Sequence, residues 1–281
     1  AMPDPNRADT AMCFRNLVEC HPEMRQWVDS LNRRGALRDT FVVMPTGERH
    51  HGYYVCCDSS QQAAIVVHGW RDCGIDFLYI ARIYEQMGYS VIIPDLHAHG
   101  LSDGKAIGMG WNDRNDVLYW MMVAVRLFGA NDIVVHGVSM GAATTMCVAG
   151  EPLPKGVRQA RFVEDCGYTS VWDEFRYELS EEFGLPSFPL LYATSLLCKL
   201  KYGWSFGEAS PISKVQNCTR PVLFIHGDND TFVPSRMVYP LYEAKSGDKS
   251  LWVTKGTAHA MSYSDYTEEY MARIRQFCNQ K

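Results

Sequence analysis

One serine of this sequence stands in the setting that nucleophilic catalysis requires. Ser139 is the centre of a Gly-Val-Ser-Met-Gly segment, which matches the pattern G-x-S-x-G. The apolar run 133–135 before it predicts a buried strand, and 142–149 after it can form a helix. A serine on such a sharp strand-to-helix turn projects from the sheet, and the helix N-terminus offers backbone N–H donors to an anion. The segment therefore predicts a nucleophile rather than an ordinary tight turn.

A serine hydroxyl is a weak nucleophile, so the sequence must also supply a base that takes its proton. His259 follows the predicted strand 250–254 and precedes the last predicted helix, 265–278. This order places it on a loop at the carboxyl edge of the sheet, near the serine turn. We expect His259 to be the general base, and His136, directly before the serine turn, to be buried support.

The base needs a carboxylate that orients its ring, and three aspartates compete for this role. Asp228 and Asp230 lie on the loop after the predicted strand 222–225, whereas Asp165 follows the predicted strand 161–163. Consecutive strands of such sheets are usually neighbours, so the loop after 222–225 should lie nearest to the histidine loop. We expect Asp230 to be the acid, Asp228 to organise the turn, and Asp165 to anchor the helix that follows it.

Two backbone N–H groups are expected to stabilise the oxyanion that forms when a nucleophile attacks a carbonyl. One belongs to Met140, the residue after the serine. The other belongs to Trp70, in the His-Gly-Trp segment that follows the predicted strand 63–67. We also expect the indole of Trp70 to form a wall of the substrate pocket.

The elements that position these residues alternate along the chain. Strands are predicted at 38–44 and 51–56, on either side of a turn, and short β-branched apolar runs follow, separated by helix-length segments. These runs lie at 63–67, 90–93, 132–135, 161–163, 222–225 and 250–254. Apolar runs without alternation are typical of strands buried on both faces of a parallel sheet. The pattern predicts an α/β fold, with a mostly parallel twisted sheet, antiparallel N-terminal strands and helices on both faces.

One segment, about 168–217, is too long to be an ordinary connection between two strands. It is rich in aromatic residues, among them Trp172 and Phe188. We expect it to form a helical lid over the carboxyl edge of the sheet, with both side chains contacting substrate, rather than a peripheral insertion. The predicted organisation is then an N-terminal helical segment, 1–37, and one domain, 38–281, that carries the lid insertion.

Composition and charge exclude several classes of function. The 281 residues are 47% hydrophobic and 21% charged, with a formal charge of -5 and no Lys/Arg block, so a nucleic-acid partner is not expected. No apolar run reaches the ~20 residues of a transmembrane helix. The first ten residues lack the basic and apolar regions of a signal peptide. The sequence predicts a soluble protein, cytoplasmic or exported with a removed signal or anchor, and specifies no oligomeric state.

The sequence predicts neither a metal site nor a cofactor. Its 10 cysteines include no C-x-x-C pair, and several lie in apolar segments, so most are expected to be free buried thiols. His97 and His99 stand two residues apart, but without a set of acidic partners this spacing does not favour a metal site.

Taken together, these segments resemble those of the α/β-hydrolase superfamily, in its serine-aminopeptidase or dienelactone-hydrolase-like branch. The resemblance covers about residues 38–280. The matching segments are VVHGW, DLHAHGLSDG, GMGWNDRNDV, HGVSMGAAT, EDCGYTS, PVLFIHGDNDTFVP and KGTAHAMSY. The resemblance implies the α/β-hydrolase fold and a serine, aspartate, histidine triad in that chain order. His97 and Ala98 depart from the Arg-Gly that relatives usually show, which affects the contacts of that loop and not the triad.

The motifs and the resemblance predict a serine hydrolase that cleaves carboxylic esters through an acyl-enzyme and requires no cofactor. Its partner would be a small-molecule ester or acyl substrate with a modest acyl or aryl group. One alternative is a serine peptidase of the aminopeptidase type, in which acidic residues of the lid hold a substrate ammonium group. The acidic residues available are Glu174, Glu178, Glu181 and Glu182. A second alternative is a catalytically silent binding protein on the same fold.

Overall fold

A computed structural model of the chain describes residues 9–57 and 60–280. Within these ranges eight strands form one sheet. The strands are β1 (Leu37–Val43), β2 (Arg49–Val55), β3 (Gln62–Val67), β4 (Ser90–Pro94), β5 (Asp132–Val138), β6 (Gln159–Asp165), β7 (Val222–Gly227) and β8 (Lys249–Thr254). The α-helices are α1 (Thr10–Cys20), α2 (Glu23–Arg33), α3 (Leu78–Gln86), α4 (Asp113–Phe128), α5 (Met140–Ala149), α6 (Val171–Phe183), α7 (Leu190–Tyr202), α8 (Pro211–Val215), α9 (Val238–Ala244), α10 (Ser262–Asp265) and α11 (Thr267–Cys278).

The order of the strands across the sheet explains why distant parts of the chain meet at one edge. This order is β1-β2-β4-β3-β5-β6-β7-β8. β2 runs antiparallel to β1 and β4, and all the other neighbours are parallel. The prediction of a mostly parallel sheet with antiparallel N-terminal strands is confirmed. Because β3 and β5 to β8 run in one direction, the loops that follow them open at the same edge.

Both faces of the sheet are covered by helices. In β3, Ala64 and Val66 belong to the core on the side of α3 and α11, while Ile65 and Val67 belong to the core on the side of α4 and α5. All four are inaccessible to solvent. Full burial of a Val or Ile side chain stabilises a fold by about 1.5–3 kcal/mol. The uninterrupted apolar runs of the sequence therefore reflect a core on each side of the sheet.

Two helices precede the sheet, as the sequence predicts for this part of the chain. α1 ends at Cys20 and α2 begins at Glu23, on either side of Pro22. Both helices contribute apolar residues to the core that contains α3. Residues 1–8 of the predicted segment 1–37 lie outside the described residues. Its separation from the rest as a unit stays a prediction. Over the described ranges, no helix combines the length and the apolar character needed to cross a bilayer.

The long segment between β6 and β7 is helical and contains α6, α7 and α8. We call it the insertion. Its buried apolar residues, such as Val171, Leu191 and Phe206, pack in one cluster with Ala143 of α5 and Met237. One side of α7 lies open to solvent, where Leu197 and Leu200 are 64% and 75% exposed. The insertion thus packs on the rest of the domain through this shared cluster, while one side of α7 presents apolar side chains to solvent.

The start of the insertion differs from the sequence prediction. Ser170 caps α6, because its side chain accepts a hydrogen bond from the N–H of Asp173. Asp165 was expected to anchor this helix, and that expectation is wrong. The Asp165 carboxylate accepts a hydrogen bond from the Tyr270 hydroxyl of α11 instead. A serine cap directly before the helix satisfies its N–H groups locally, so no group from β6 is needed.

Candidate active site

Ser139 occupies the turn between β5 and α5, in a backbone conformation that few residues adopt. Its φ is 58° and its ψ is -121°. A Cβ atom on Gly137 would overlap the carbonyl oxygen of Gly141, and a Cβ atom on Gly141 would overlap the carbonyl oxygen of Val67. Only glycine fits at these two positions. The two glycines of the G-x-S-x-G pattern are therefore required because the strand and the helix pack too closely to leave room for a side chain at either position.

The structure brings Ser139, His259 and Asp230 into one chain of hydrogen bonds. Nε2 of His259 lies 2.8 Å from Oγ of Ser139. Nδ1 of the same ring lies 2.7 Å from Oδ2 of Asp230. The three residues follow β5, β7 and β8, which are parallel strands of one sheet. The three side chains that the sequence singled out thus lie within hydrogen-bonding distance along one chain.

The loop after β7 holds the Asp230 carboxylate in place. Oδ1 of Asp230 accepts hydrogen bonds from the backbone N–H groups of Phe232 and Val233, at 3.0 and 2.9 Å. The residue is 5% exposed. Asp228 bonds elsewhere, since its side chain accepts from the N–H of Gly256 and joins the loop after β7 to the loop after β8. One aspartate thus faces the histidine ring, and the other ties the two loops together.

A second histidine stabilises the ionised form of Asp230. Nε2 of His226, on β7, lies 3.3 Å from Oδ2 of Asp230 and 2.9 Å from the carbonyl oxygen of Val233. Burial disfavours the charge of Asp230, but hydrogen bonds from His226 and His259 outweigh it and lower the pKa of Asp230 to about 2. Burial also disfavours a charged His226, but the hydrogen bond to Asp230 and the charge of Glu164 outweigh it and raise the pKa of His226. The carboxylate is therefore ionised over the whole neutral range.

A buried hydrogen-bonded chain runs beneath the serine turn. The backbone N–H of Ser139 donates to the carbonyl oxygen of Asp165 at 2.8 Å. The Asp165 carboxylate accepts from the Tyr270 hydroxyl at 2.9 Å, and that hydroxyl lies 2.9 Å from Nε2 of His136. Nδ1 of His136 in turn lies 2.9 Å from the hydroxyl of Tyr84. Burial raises the pKa of Asp165 to about 6 and lowers the pKa of His136 to about 3.

The loop after β3 lies against the nucleophile. A Cβ atom on Gly69 would lie 3.5 Å from Cβ of Ser139. The next residue, Trp70, is 46% exposed, and its indole packs 5.3 Å from the guanidinium carbon of Arg71. Arg71 has a positive φ of 63°, and its N–H donates to Nε2 of His99 at 3.3 Å. The hydrogen bond to His99, on the loop after β4, thus helps to hold the loop after β3 beside Ser139.

The two insertion aromatics that the sequence singled out pack on a common neighbour. The ring of Trp172 lies 4.8 Å from that of Tyr192, and the ring of Phe188 lies 5.9 Å from it. Phe188 is 73% exposed. A different aromatic contacts the histidine of this chain: the ring of Phe232 lies 4.9 Å from that of His259. The sequence did not single out Phe232, although an aromatic residue two positions after Asp230 lies on the same loop as the carboxylate and can reach the ring that it bonds.

An acidic pair of α6 lies near the triad. Glu174 is 4% exposed, and its Oε2 has no hydrogen-bond partner among the described residues. Burial, then the charges of Glu178 and Asp230, raise the pKa of Glu174 to about 9. The pKa of Glu178 is raised by burial and by Glu182, and the charge of His259 opposes this. Tyr177, between the two, donates its hydroxyl to the Thr231 carbonyl at 2.9 Å, which fixes α6 on the aspartate loop.

Three clusters of side chains in the described ranges place potential metal ligands within 4.8 Å of one another. They are Cys13 with Cys73 and Asp76; Glu48 with His50 and His97; and Cys166 with Asp230 and His259. In the third, Asp230 and His259 already bond each other and Ser139. Both ring nitrogens of His259 are therefore engaged by protein groups, an arrangement that suits proton transfer better than metal binding.

Comparison with known proteins agrees with this fold. The model of the alpha/beta hydrolase family matches residues 64–273. The uncharacterized protein YqkD of Bacillus subtilis (strain 168) is 29% identical over 244 residues, which cover 86% of this chain and 79% of YqkD.

Solved structures with the same architecture include an esterase and a peptidase. The esterase Pf2001 of Pyrococcus furiosus superimposes with a TM-score of 0.69 at 21% identity, covering 86% of this chain and 91% of the esterase. An acylaminoacyl peptidase superimposes with a TM-score of 0.66 at 16% identity, covering 87% of this chain and 41% of the peptidase. At these identities the likeness shows the fold alone. The family match spans most of the chain, so this protein belongs to the alpha/beta hydrolase family, and that membership supports a hydrolytic activity.

Proposed function

We propose that this protein is a serine hydrolase that cleaves carboxylic esters through a covalent acyl-enzyme. The observation that carries the proposal is the hydrogen-bonded chain from Oγ of Ser139 through His259 to Asp230. The positive φ of the serine adds to it, because strained backbone persists only where the surrounding structure holds it and clusters at functional sites.

The protonation state of Asp230 determines the first step. Because the pKa of Asp230 is about 2, the carboxylate is ionised at neutral pH and can only accept a hydrogen bond. Nδ1 of neutral His259 must then carry the ring proton, which leaves the lone pair of Nε2 facing Oγ of Ser139. His259 takes the serine proton as Oγ attacks the ester carbonyl, and Asp230 stabilises the resulting imidazolium.

Two backbone N–H groups would hold the oxyanion. Met140 is the first residue of α5, so its N–H has no acceptor within the helix, and the helix dipole favours negative charge there. The N–H of Trp70 is the second donor, supported by the closeness of Gly69 to Ser139. The loss of one such donor lowers kcat by about 10²- to 10³-fold in serine hydrolases.

The second half of the cycle returns the free serine. Imidazolium of His259 protonates the leaving alkoxide, which departs as an alcohol and leaves the acyl group on Oγ of Ser139. A water molecule then gives its proton to Nε2 of His259 and attacks the acyl carbon. The carbon–Oγ bond breaks, the serine regains its proton, and a carboxylic acid is released.

The surroundings of the site favour an apolar acyl or aryl group of modest size. A groove of about 660 Å³ lies between the segment 107–109 and the insertion, and it is lined mainly by apolar side chains such as Phe175, Leu197 and Trp204, not by the triad itself. Phe232 and the half-exposed Trp70 flank the triad with further apolar surface. In this proposal the insertion is a lid, and Trp172 and Phe188 shape acyl preference through their contacts with Tyr192.

A serine peptidase of the aminopeptidase type is the second candidate, and one observation favours it. Glu174 is a buried carboxyl with an unpartnered oxygen, and Asp230 is among the charges that act on it. A substrate ammonium group placed beside it would favour the ionised carboxylate and supply the missing partner. A catalytically silent binding protein would have no use for the strained serine.

Labelling and substrate panels separate these functions. A fluorophosphonate should label the wild type at one equivalent and should not label Ser139→Ala. Absence of wild-type labelling in the folded protein would favour the silent binder. Nitrophenyl esters of increasing chain length should be turned over faster than aminoacyl amides. Faster cleavage of amides with a free amino group, lost in Glu174→Gln but retained in the exposed control Glu243→Gln, would favour the peptidase.

A further inference from the structure

We propose that Glu48, His50 and His97 form a binding site for a divalent transition metal such as Zn²⁺, separate from the serine turn. One ligand atom from each side chain lies within 4.8 Å of the other two. Glu48 comes from the turn between β1 and β2, His50 from β2, and His97 from the loop after β4. Imidazole nitrogen and carboxylate oxygen are ordinary ligands of Zn²⁺.

His50 is the observation that most needs a ligand. It is fully buried, and neither of its ring nitrogens has a hydrogen-bond partner among the described residues. The adjacent His51 is equally buried, yet its Nδ1 lies 2.7 Å from Asp95 and its Nε2 lies 3.3 Å from Asp39. A buried polar group without a partner costs about 1–3 kcal/mol. A metal ion on one ring nitrogen of His50 would remove this cost.

His97 faces the same point. Its Nδ1 lies 3.3 Å from Oε2 of Glu48, which is about the separation of two ligand atoms bound at 2.0–2.1 Å around one tetrahedral Zn²⁺. Nε2 of His97 points toward the backbone of Gly104, since a Cβ atom on this glycine would lie 2.6 Å from it. The rings of His97 and His50 have their centroids 5.6 Å apart.

A carboxylate of α4 lies behind the site. Oδ2 of Asp116 lies 3.7 Å from Nδ1 of His50. Carboxylates commonly orient metal-bound histidines through a hydrogen bond to the ring nitrogen that does not bind the metal, and Asp116 lies just beyond that distance. The three ligands leave one position of a tetrahedral ion for water. The side chains of Glu48 and His97 are 39% and 24% exposed, so an ion can reach the site from solvent.

The sequence did not predict this site, because His97 was weighed only with His99. The structure separates that pair: Nδ1 of His99 lies 2.8 Å from the His97 carbonyl oxygen, and its Nε2 accepts from Arg71. The partners of His97 come instead from the hairpin turn about fifty residues earlier. A metal here would join β2 to the loop that also supports the segment beside Ser139.

Calorimetric titration of the chelator-treated protein with Zn²⁺ tests the site. The wild type should bind one equivalent, and Glu48→Gln and His97→Gln should each weaken binding by more than about tenfold, the loss that even outer ligand partners can cause. His21→Gln is the matched control and should bind as the wild type does. The two partly exposed positions keep the test decisive if His50→Gln does not fold.

Co²⁺ distinguishes this site from the cysteine clusters. Binding at Glu48, His50 and His97 should give visible d–d bands and no intense thiolate-to-cobalt band in the near ultraviolet. Zn²⁺ should also raise the Tm of the wild type and of His21→Gln, but not that of His97→Gln. A thiolate band, no saturable binding, or affinity unchanged in both Glu48→Gln and His97→Gln would overturn the proposal.

Discussion

The serine turn and the insertion are held in place in opposite ways. Every residue of α5, from Met140 to Ala149, is buried. The serine turn follows β5, which is held between β3 and β6 in the sheet. In α7, only Leu191, Ser195 and Cys198 are buried, and several leucines are more than half exposed. The proposed reacting groups therefore lie on a fully buried framework, and the surface that would select substrates lies on a more exposed one.

This difference implies two classes of mutational effect. A change at the serine turn should lower the rate for every substrate alike, because all substrates depend on the same hydrogen-bonded triad. A change in the insertion should alter which substrates are used and leave the chemistry intact. The predictions that follow, in decreasing order of expected effect, test this division.

The largest effect is expected for Ser139→Ala. Removal of Oγ leaves His259 without a nucleophile to activate, so kcat for a nitrophenyl ester should fall by about 10⁶-fold, as in serine proteases. Steady-state kinetics with a fluorophosphonate-titrated wild type gives the comparison, and circular dichroism checks the fold. A variant that keeps even a tenth of the activity would contradict the role of Ser139.

The next largest effect separates Asp230 from Asp165. Asp230→Asn should lower kcat by about 10³- to 10⁴-fold, because an amide cannot hold the required tautomer of His259. Asp165→Asn removes an acceptor for Tyr270 and should lower Tm with a much smaller loss of kcat per folded molecule. Both variants are compared on the same ester after active-site titration. A greater kcat loss in Asp165→Asn would show that the acid has been misassigned.

Glu174 lies in the insertion within reach of the Asp230 charge and should make stability depend on pH. Its folded pKa of about 9 lies above its unfolded value, so the folded state binds the proton more tightly and stability falls as pH rises from about 4.5 to 9. Glu174→Gln should reduce the fall in Tm between pH 6 and 9 by at least about 3 °C, the equivalent of about 1 kcal/mol in a protein of this size.

Glu243→Gln serves as the control for loss of a carboxylate from the exposed surface. Differential scanning fluorimetry across this pH range measures both variants against the wild type. Identical pH profiles for Glu174→Gln and the wild type would mean that Glu174 is ionised in the folded protein.

The smallest effect is expected within the insertion. Trp172→Ala should change the ratio of kcat/KM between short and long esters a few-fold, because the half-buried indole supports Tyr192. Phe188→Ala should change it less, since Phe188 is 73% exposed. Fluorophosphonate labelling should be unchanged in both. An unchanged ratio in Trp172→Ala would make the insertion peripheral to substrate choice.

The sequence predicted the sheet and the placement of the site because both depend on local patterns. β-branched runs without alternation mark strands buried on both faces, and the loops after parallel strands meet at one edge. The order of β7 and β8 was enough to favour Asp230 over Asp165. The strand and helix boundaries around Ser139 agree closely with those observed.

What the sequence could not predict depends on contacts between distant segments. His226 lies on β7 and contacts Asp230 because the loop after this strand folds back over its end. Tyr270 reaches Asp165 from α11, more than one hundred residues later in the chain. Helix α9 was missed because it has only seven residues and contains Pro240, which its first turn tolerates. α7 is rich in leucine, which favours burial, yet only Leu191, Ser195 and Cys198 of this helix are buried.

The buried chain beneath the serine turn has a direction. Above pH 6 an ionised Asp165 can only accept, so Tyr270 must donate to it and accept from Nε2–H of His136, whose Nδ1 then accepts from Tyr84. Each proton of this chain thus lies on one defined atom, and reversing the direction of one hydrogen bond requires all the others to reverse as well. The Nε2 proton of His136 should exchange slowly with solvent, and its nuclear magnetic resonance signal should shift when Asp165 gains a proton. That signal would report on the floor of the active site without any substrate bound.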